Sequence, residues 1–403
     1  MRKYKTLNQI SDTCGHVFLR LDLNVPIKNG MILDDTRIQK TIATIKYLQK
    51  KTDTLILATH LGRPKSSIHK SEWDQNLSTI ILKSALEKYL NTEVTHLKTC
   101  VHYDVSSPGI YLLENLRFYP GEVIDDAGFA HDLKGPCTIY VNDAFACSHR
   151  KHASVHAIAK LLPNYAGLLL DEELKTLEHL FCPPEKPMMA IIGGAKVSTK
   201  VGVLKSLIEK VDYMVIGGAM ANTFLKAQGV DIGSSLVEDS AINVCLELLS
   251  SAHKNKIILP ADFIVADNLK SLSNKHQRSG EHIKGMIFDF GPQSLKMIQA
   301  KLELCKTVLW NGPLGAYEFG IYDQKSCALA HIMSMQTKNK RLISIAGGGD
   351  TLAVISKSNT AKDFTYLSTA GGAFLAWLQD SPLPGLRALT QTKKCSHTFN
   401  KHV

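Results

Sequence analysis

In the first half of the chain, basic residues follow directly on short apolar runs. Val17-Phe18-Leu19-Arg20-Leu21 leads into Asp22-Leu23-Asn24-Val25-Pro26, and Leu55-Ile56-Leu57-Ala58 leads into His60-Leu61-Gly62-Arg63-Pro64. Tyr111-Leu112-Leu113 leads into Glu114-Asn115-Leu116-Arg117-Phe118, and Thr138-Ile139-Tyr140-Val141 passes through Asn142-Asp143 towards His149-Arg150. Arg37 opens the first helical stretch. If these runs are strands of one parallel sheet, Arg37, His60, Arg63, Arg117 and Arg150 converge on one rim. Guanidiniums gathered there repel one another unless a multiply charged anion sits among them, and their forked donors match phosphate and carboxylate oxygens. A surface ion pair would explain any one of these arginines; their recurrence at strand ends points to an anionic ligand.

In the second half the apolar runs end in glycines. The segments are Gly193-Gly194-Ala195-Lys196, Gly217-Gly218-Ala219-Met220, Asn311-Gly312-Pro313-Leu314-Gly315, Gly347-Gly348-Gly349-Asp350-Thr351 and Ser368-Thr369-Ala370-Gly371-Gly372. Glycine lets backbone approach a ligand closely, and the amides that open the following helix point at an anion. One such pair is an ordinary turn; five at successive strand ends predict a nucleotide cradle. None has the Walker A spacing or the dinucleotide G-x-G-x-x-G. Lys196 and Lys200, four apart, are predicted to share a face at the start of a helix. Asp350 is either an N-cap or a magnesium contact made through nucleotide phosphates, since magnesium sites often use one carboxylate with substrate oxygens and water.

The elements that must position these residues follow from periodicity. Further strand-like runs are Met189–Ile192, Tyr213–Ile216, 257–259, 307–310 and 342–345. Near-continuous apolar character is how a parallel strand covered on both faces reads. Between them Ile38, Ile42, Ile45 and Leu48 fall on one helical stripe, as do Leu77, Ile80, Ile81 and Ala85, and Val197, Val201, Leu204 and Ile208. Alternating strands and helices at this spacing predict an α/β fold built on doubly wound parallel sheets, whose ligands bind beyond the strand carboxyl ends. A helical stretch near 171–181 runs into Cys182-Pro183-Pro184-Glu185-Lys186-Pro187, read as a stiff linker that divides the chain into similar halves.

Composition agrees. The chain has 403 residues, 44% hydrophobic and 21% charged, too long for one ordinary core and unlike a disordered, collagenous or coiled-coil chain. No apolar run approaches the length of a membrane span, and Met1–Ile10 lacks the apolar stretch of a secretory signal, so a soluble cytoplasmic protein is expected. Lys and Arg number 47 against 37 Asp and Glu, a formal charge of +10, which suits a polyanionic partner. Basic residues are scattered rather than gathered in an arm or interleaved with aromatics, so nucleic acid is not the expected partner. Nine cysteines without a C-x-x-C pair read as free thiols. His149 and His152 lack a third metal ligand nearby, and neither a G-x-S-x-G elbow nor an H-R-D loop occurs.

Taken together, these motifs resemble those of the phosphoglycerate kinases over roughly Val17 to Leu386. The resemblance is carried by Asp22–Pro26, His60–Pro64, Leu113–Phe118, Asn142-Asp143-Ala144-Phe145, Gly193–Val197, Trp310–Pro313 with Glu318, and Gly347–Thr351. It implies two Rossmann-like parallel-sheet domains joined by a hinge helix. An N-terminal 3-phosphoglycerate domain would cover 1–170, with a returning C-terminal segment from about 384 to 403. A hinge helix and linker would cover 171–187, and a nucleotide domain 188–383. The implied reaction is reversible, magnesium-dependent phosphoryl transfer from 1,3-bisphosphoglycerate to ADP, giving 3-phosphoglycerate and ATP, by a monomer that closes over both substrates. By motif, Asp22, Asn24, Arg37, His60, Arg63, Arg117 and Arg150 would hold the glycerate. Gly194, Ala195, Lys196, Lys200, Gly218, Asn311, Gly312, Pro313, Glu318, Gly347, Gly348, Gly349, Asp350 and Thr351 would hold the nucleotide, with Asp350 on magnesium. Arg37 and Lys196, with Gly348 and Gly371, would act at the transferring group. Ala219 and Ala370 stand where glycine is common in this family, which a negative φ would tolerate. Ala376, Gln379, Ala146-Cys147-Ser148 and Lys151 also depart from its pattern, and the tail from about Gln391 has no assignable role.

Overall fold

Each apolar run quoted above forms a strand, and the strands assemble into two parallel sheets. The computed structural model describes residues 4–11, 15–181, 184–271, 274–379, 381 and 383–390; the tail from Gln391 and the linker residues Cys182 and Pro183 lie outside them. The chain divides into two units. One runs to Glu178 and takes in the helix Pro384–Thr390; the other runs from His179 to Ser381.

In the first unit six strands lie in the order Val94–Leu97, Gly109–Leu113, Thr54–Ala58, Val17–Arg20, Ile139–Asn142, Asn164–Ala166. Register matters for function here. Arg20 pairs with Ala58 on one side and Asn142 on the other, so the segments that follow leave the sheet from one edge. The core beneath is Leu19, Leu57, Leu112 and Val141 packed with Ile38, Ile45 and Leu48 of the helix Thr36–Gln49. The helix Ile80–Leu90 buries Leu82, Leu86 and Leu90, a face rotated from the expected one. Ile80 is exposed and Leu77 sits in a separate 3-10 turn, because that turn ends the chain's approach before the helix begins. The helix Pro384–Thr390 packs back on this unit, with Gly385 N–H donating to Ser148 O at 2.9 Å.

In the second unit the order is Ile257–Ile258, Tyr213–Ile216, Met188–Ile192, Thr307–Asn311, Ile343–Gly347, Tyr366–Ser368, again all parallel. The winding reverses between Met188–Ile192 and Thr307–Asn311, the kind of switch point where an open α/β sheet leaves a crevice. A three-stranded antiparallel sheet is added, with Asp262–Ala266 between Lys275–Arg278 and Met286–Phe290; nothing in the apolar pattern announced it. The strands Val94–Leu97, Asn164–Ala166 and Tyr366–Ser368 also went unread, because each is short and lies at a sheet edge where polar residues are tolerated. Among the described residues six cysteines are free and no helix is long and apolar enough to cross a membrane.

Candidate active site

The first unit presents a basic edge. Asp22 leaves the end of Val17–Arg20 and its Oδ2 accepts from Arg37 Nη1 at the start of the neighbouring helix. Its Oδ1 accepts from Asn24 N–H at 3.3 Å, and Asn24 Oδ1 accepts from Gly62 N–H at 2.7 Å. The loop carrying His60 and Arg63 is thereby tied to the loop carrying Asp22. Buried Asn115 clamps the same loop from the other side, donating to Leu61 O at 2.7 Å and accepting from Leu61 N–H at 3.2 Å. Arg117 donates through Nη1 to Gly62 O. Arg63 is exposed, while Arg150 is half-buried and donates to His149 Nε2 at 3.3 Å.

The electrostatics show that these groups converge. Burial, then Arg20, Arg117 and Arg150, hold the His60 imidazole well below its usual pKa. Burial followed by the same arginines takes His152 down to about 4. Arg117 is itself pushed down to about 10 by burial and then Arg150, with Arg20 and Arg63 adding to the effect. A guanidinium that loses basicity to burial and then to neighbouring guanidiniums sits among like charges, which an anion relieves.

Arg20 was missed, although it stands as the lone charge inside the first apolar run. It is 1% exposed and donates to Ser154 Oγ at 2.8 Å and to Leu21 O. Its Nη2 lies 3.3 Å from His60 Nδ1 and 3.7 Å from Cys147 Sγ. Glu122, fully buried, completes the set by accepting from Ser154 N–H at 2.9 Å and Ser154 Oγ at 2.7 Å. The donor atoms of Asp22, His60 and Cys147 fall within 4.8 Å of one another, the one such group of three among the described residues. The Arg20 guanidinium beside two of the three makes this a poor seat for a cation.

The second unit presents backbone instead. Gly193 and Gly312 lie back to back at the switch point: Gly312 has φ +103°, and a Cβ there would meet Gly193 O at 2.2 Å. Gly312 N–H donates to Thr351 Oγ1 at 2.6 Å, and Asn311 Nδ2 donates to Gly347 O at 2.6 Å. Asn311 and Thr351 thus fasten these two glycine loops to one another. Beside them opens a cavity of about 430 Å³ lined by Gly194, Ala195, Gly218, Pro313, Glu318 and Asp350, with Leu269 and Phe288 among its apolar residues.

Two expectations need correction. Lys196 and Lys200 do not share a helix face, because the helix begins at Val201 with Lys200 as its cap. Val197 is buried and Lys200 N–H turns back to Val197 O at 2.8 Å, so the segment makes a tight turn before the helix. Lys196 is exposed, whereas Lys200 Nζ folds inward to Gly193 O, Asn311 O and Asn311 Oδ1. Nor is Asp350 an N-cap. Gly348 caps Gly349–Lys357, Asp350 is the second residue of that helix, and its exposed carboxylate accepts from the Tyr317 hydroxyl at 3.0 Å. Gly371, with φ +45°, caps the helix Gly372–Leu378. Ala219 and Ala370 are not among the residues of positive φ, so their methyl groups cost little.

Comparison with known proteins gives a consistent result. The sequence model of the family described as Phosphoglycerate kinase matches residues 7–381. A phosphoglycerate kinase of Sinorhizobium medicae is 41% identical over 402 residues, covering 97% of this chain and 100% of that protein. One from a Wolbachia of Drosophila simulans is 44% identical over 384 residues, covering 93% and 95%. Among solved structures, the phosphoglycerate kinase of Coxiella burnetii superposes with a TM-score of 0.84 at 36% identity, covering 96% of this chain and 99% of that one. That of Pyrococcus horikoshii gives 0.78 at 26% identity, covering 96% and 98%.

Proposed function

We propose how this chain, which belongs to the phosphoglycerate kinase family, divides that family's reaction between its two units. The enzyme is a glycolytic phosphotransferase that interconverts 1,3-bisphosphoglycerate and ADP with 3-phosphoglycerate and ATP. In our reading the basic edge of the first unit holds the glycerate: Arg63, Arg117, Arg150 and His60 on its anionic groups, with Asp22 and Asn24 fixing the loops that carry them. Arg20 joins this set as the residue against which His60 rests.

The nucleotide takes the cavity of the second unit. Gly194, Ala195, Gly218 and Pro313 bring backbone against it, and Glu318 at the mouth accepts from its ribose hydroxyls. Lys196 reaches its phosphates, and Lys200 and Asn311 hold the loops beneath them. The family uses ADP and ATP with magnesium. An exposed carboxylate in the first turn of a helix beside the glycine-lined cavity fits a hard cation that takes its remaining oxygens from phosphate and water, so Asp350 would hold it. Bound there, the ion would neutralise charge on the phosphate oxygens.

In the direction of ATP use the acceptor is a carboxylate, ionised at neutral pH because carboxyl pKa values lie near ~4. No general base is required, and the histidines of the basic edge are held neutral and poor in proton affinity. What remains is alignment and charge stabilisation, assigned to Arg37, Lys196 and the backbone at Gly348 and Gly371. An acyl phosphate hydrolyses readily, so in-line transfer with water excluded is the condition both half-sites must meet. We place the enzyme in the cytoplasm as a monomer, its +10 charge suited to phosphorylated substrates.

The observation that carries this reading is the gathering of Arg20, Arg117 and Arg150 around His60 and His152 at one sheet edge. A coupled assay with 3-phosphoglycerate, ATP and magnesium tests it. Turnover by the wild type, with losses of at least about a hundredfold in Arg37→Ala and Lys196→Ala, is expected. Folded wild-type protein without turnover, or unchanged turnover in both variants, would refute the assignment.

A further inference from the structure

The hydroxyl of Tyr317 donates to Asp350 Oδ1 at 3.0 Å, and both residues line the cavity that Glu318 also borders. The two come from different elements. Tyr317 lies in the loop after Thr307–Asn311, where its own N–H turns back to Gly315 O at 2.9 Å, and Asp350 lies in the first turn of Gly349–Lys357. Tyr317 is half-buried, so its ring is held by surroundings while its hydroxyl reaches an otherwise exposed carboxylate. An exposed aspartate samples several rotamers, and a bond from a neighbouring donor to one oxygen restricts it to those compatible with that bond.

We propose that Tyr317 is a positioning residue for the metal–nucleotide complex, orienting the Asp350 carboxylate towards the ion while its ring walls the nucleotide cavity. This rests on the assignment of Asp350 to magnesium above. Groups that orient a metal-binding carboxylate govern metal affinity without touching the ion. The role is therefore confined to the magnesium-dependent part of nucleotide binding.

Tyr317→Phe keeps the ring and removes only the hydroxyl. Calorimetric titration of ADP into the full-length protein, once with magnesium and once with EDTA, separates the two contributions. For wild type, magnesium should strengthen ADP binding. For Tyr317→Phe, affinity in EDTA should match wild type while the gain from magnesium shrinks by about tenfold. In the assay, the magnesium concentration for half-maximal rate should rise by a similar factor, with kcat at saturating magnesium and KM for 3-phosphoglycerate unchanged. Matching thermal unfolding of the two proteins checks that the variant is folded. If Tyr317→Phe keeps the full magnesium gain, the proposal is wrong and the assignment of Asp350 stands. If wild type shows no magnesium gain, or Asp350→Ala retains it, that assignment falls and takes the proposal with it.

Discussion

Lys200 Nζ lies 2.6 Å from Asn311 Oδ1 and also donates to the carbonyl oxygens of Asn311 and Gly193, so its ammonium serves the cradle from below. Burial takes this lysine down to about 8, with Asp350 opposing the shift. The charged form is therefore the one lost as pH rises through about 8 in the free protein. ADP affinity should be level from pH 6.5 to 7.5 and then fall towards tenfold per pH unit above 8. Lys200→Met should bind ADP more weakly at neutral pH and show no such decline. A wild-type profile that is flat to pH 9.5 would contradict this.

Arg20 and Glu122 are linked through Ser154, whose hydroxyl accepts from Arg20 Nε and donates to Glu122 Oε1. Both charges are buried, so removing one strands the other. Arg20→Met should cost about 3–5 kcal/mol. Burial already holds the Glu122 carboxyl above its usual range, with Arg20 working against it. Without Arg20 the folded pKa rises further, so the variant's deficit should grow with pH and be larger at pH 8 than at pH 5.5. The double variant Arg20→Met with Glu122→Leu should recover most of the stability but not the substrate affinity. Urea unfolding at both pH values measures the stabilities, and titration with 3-phosphoglycerate measures the affinity.

Why the strand ends were legible, and the networks behind them were not, is a matter of range. A parallel strand buried on both faces must be apolar throughout, so Val17–Arg20 and Met188–Ile192 showed themselves, and with them the rim residues that follow. Arg20 violates that rule, and its compensation comes from Glu122 and Ser154, more than a hundred residues away, which no local pattern predicts. Lys200 failed for a related reason. Spacing of four suggests one helical face only if a helix is present, and the buried side chain of Val197 bends the chain before the helix starts. The bond between Tyr317 and Asp350 joins a loop to the first turn of a helix 33 residues on and was equally invisible.

The contact between Gly193 and Gly312 predicts that the cradle tolerates no side chain there. A methyl at Gly312 would meet backbone at 2.2 Å and also hold a φ of +103° that L-residues avoid. Gly312→Ala should abolish measurable ADP binding or prevent the second unit from folding. Gly371 has φ +45° but open space around a built Cβ, so Gly371→Ala should cost only about 1–2 kcal/mol. Unfolding curves and ADP titration of the two variants distinguish a blocked site from mere backbone strain. Equal effects would sink the argument.

Glu173, in the helix Leu168–Phe181, is 8% exposed, and its Oε2 has no hydrogen-bond partner. Burial takes its carboxyl up to about 7; Lys40 and Arg37 oppose the rise, and Asp143 and Asp22 reinforce it. Because the folded pKa lies above the unfolded value, its contribution to stability is complete below about pH 4.5 and is lost as pH climbs through about 7. Asp143, buried nearby and raised to about 6, acts in the same direction over a lower window. Glu173→Gln removes an ionisation the fold resists, so it should match wild type near pH 4.5 and exceed it at pH 8 by up to about 3 kcal/mol. Thermal unfolding across that range checks the sign: a variant less stable than wild type at pH 8 would mean that the ionised carboxylate holds Lys40 and Arg37 more strongly than burial penalises it.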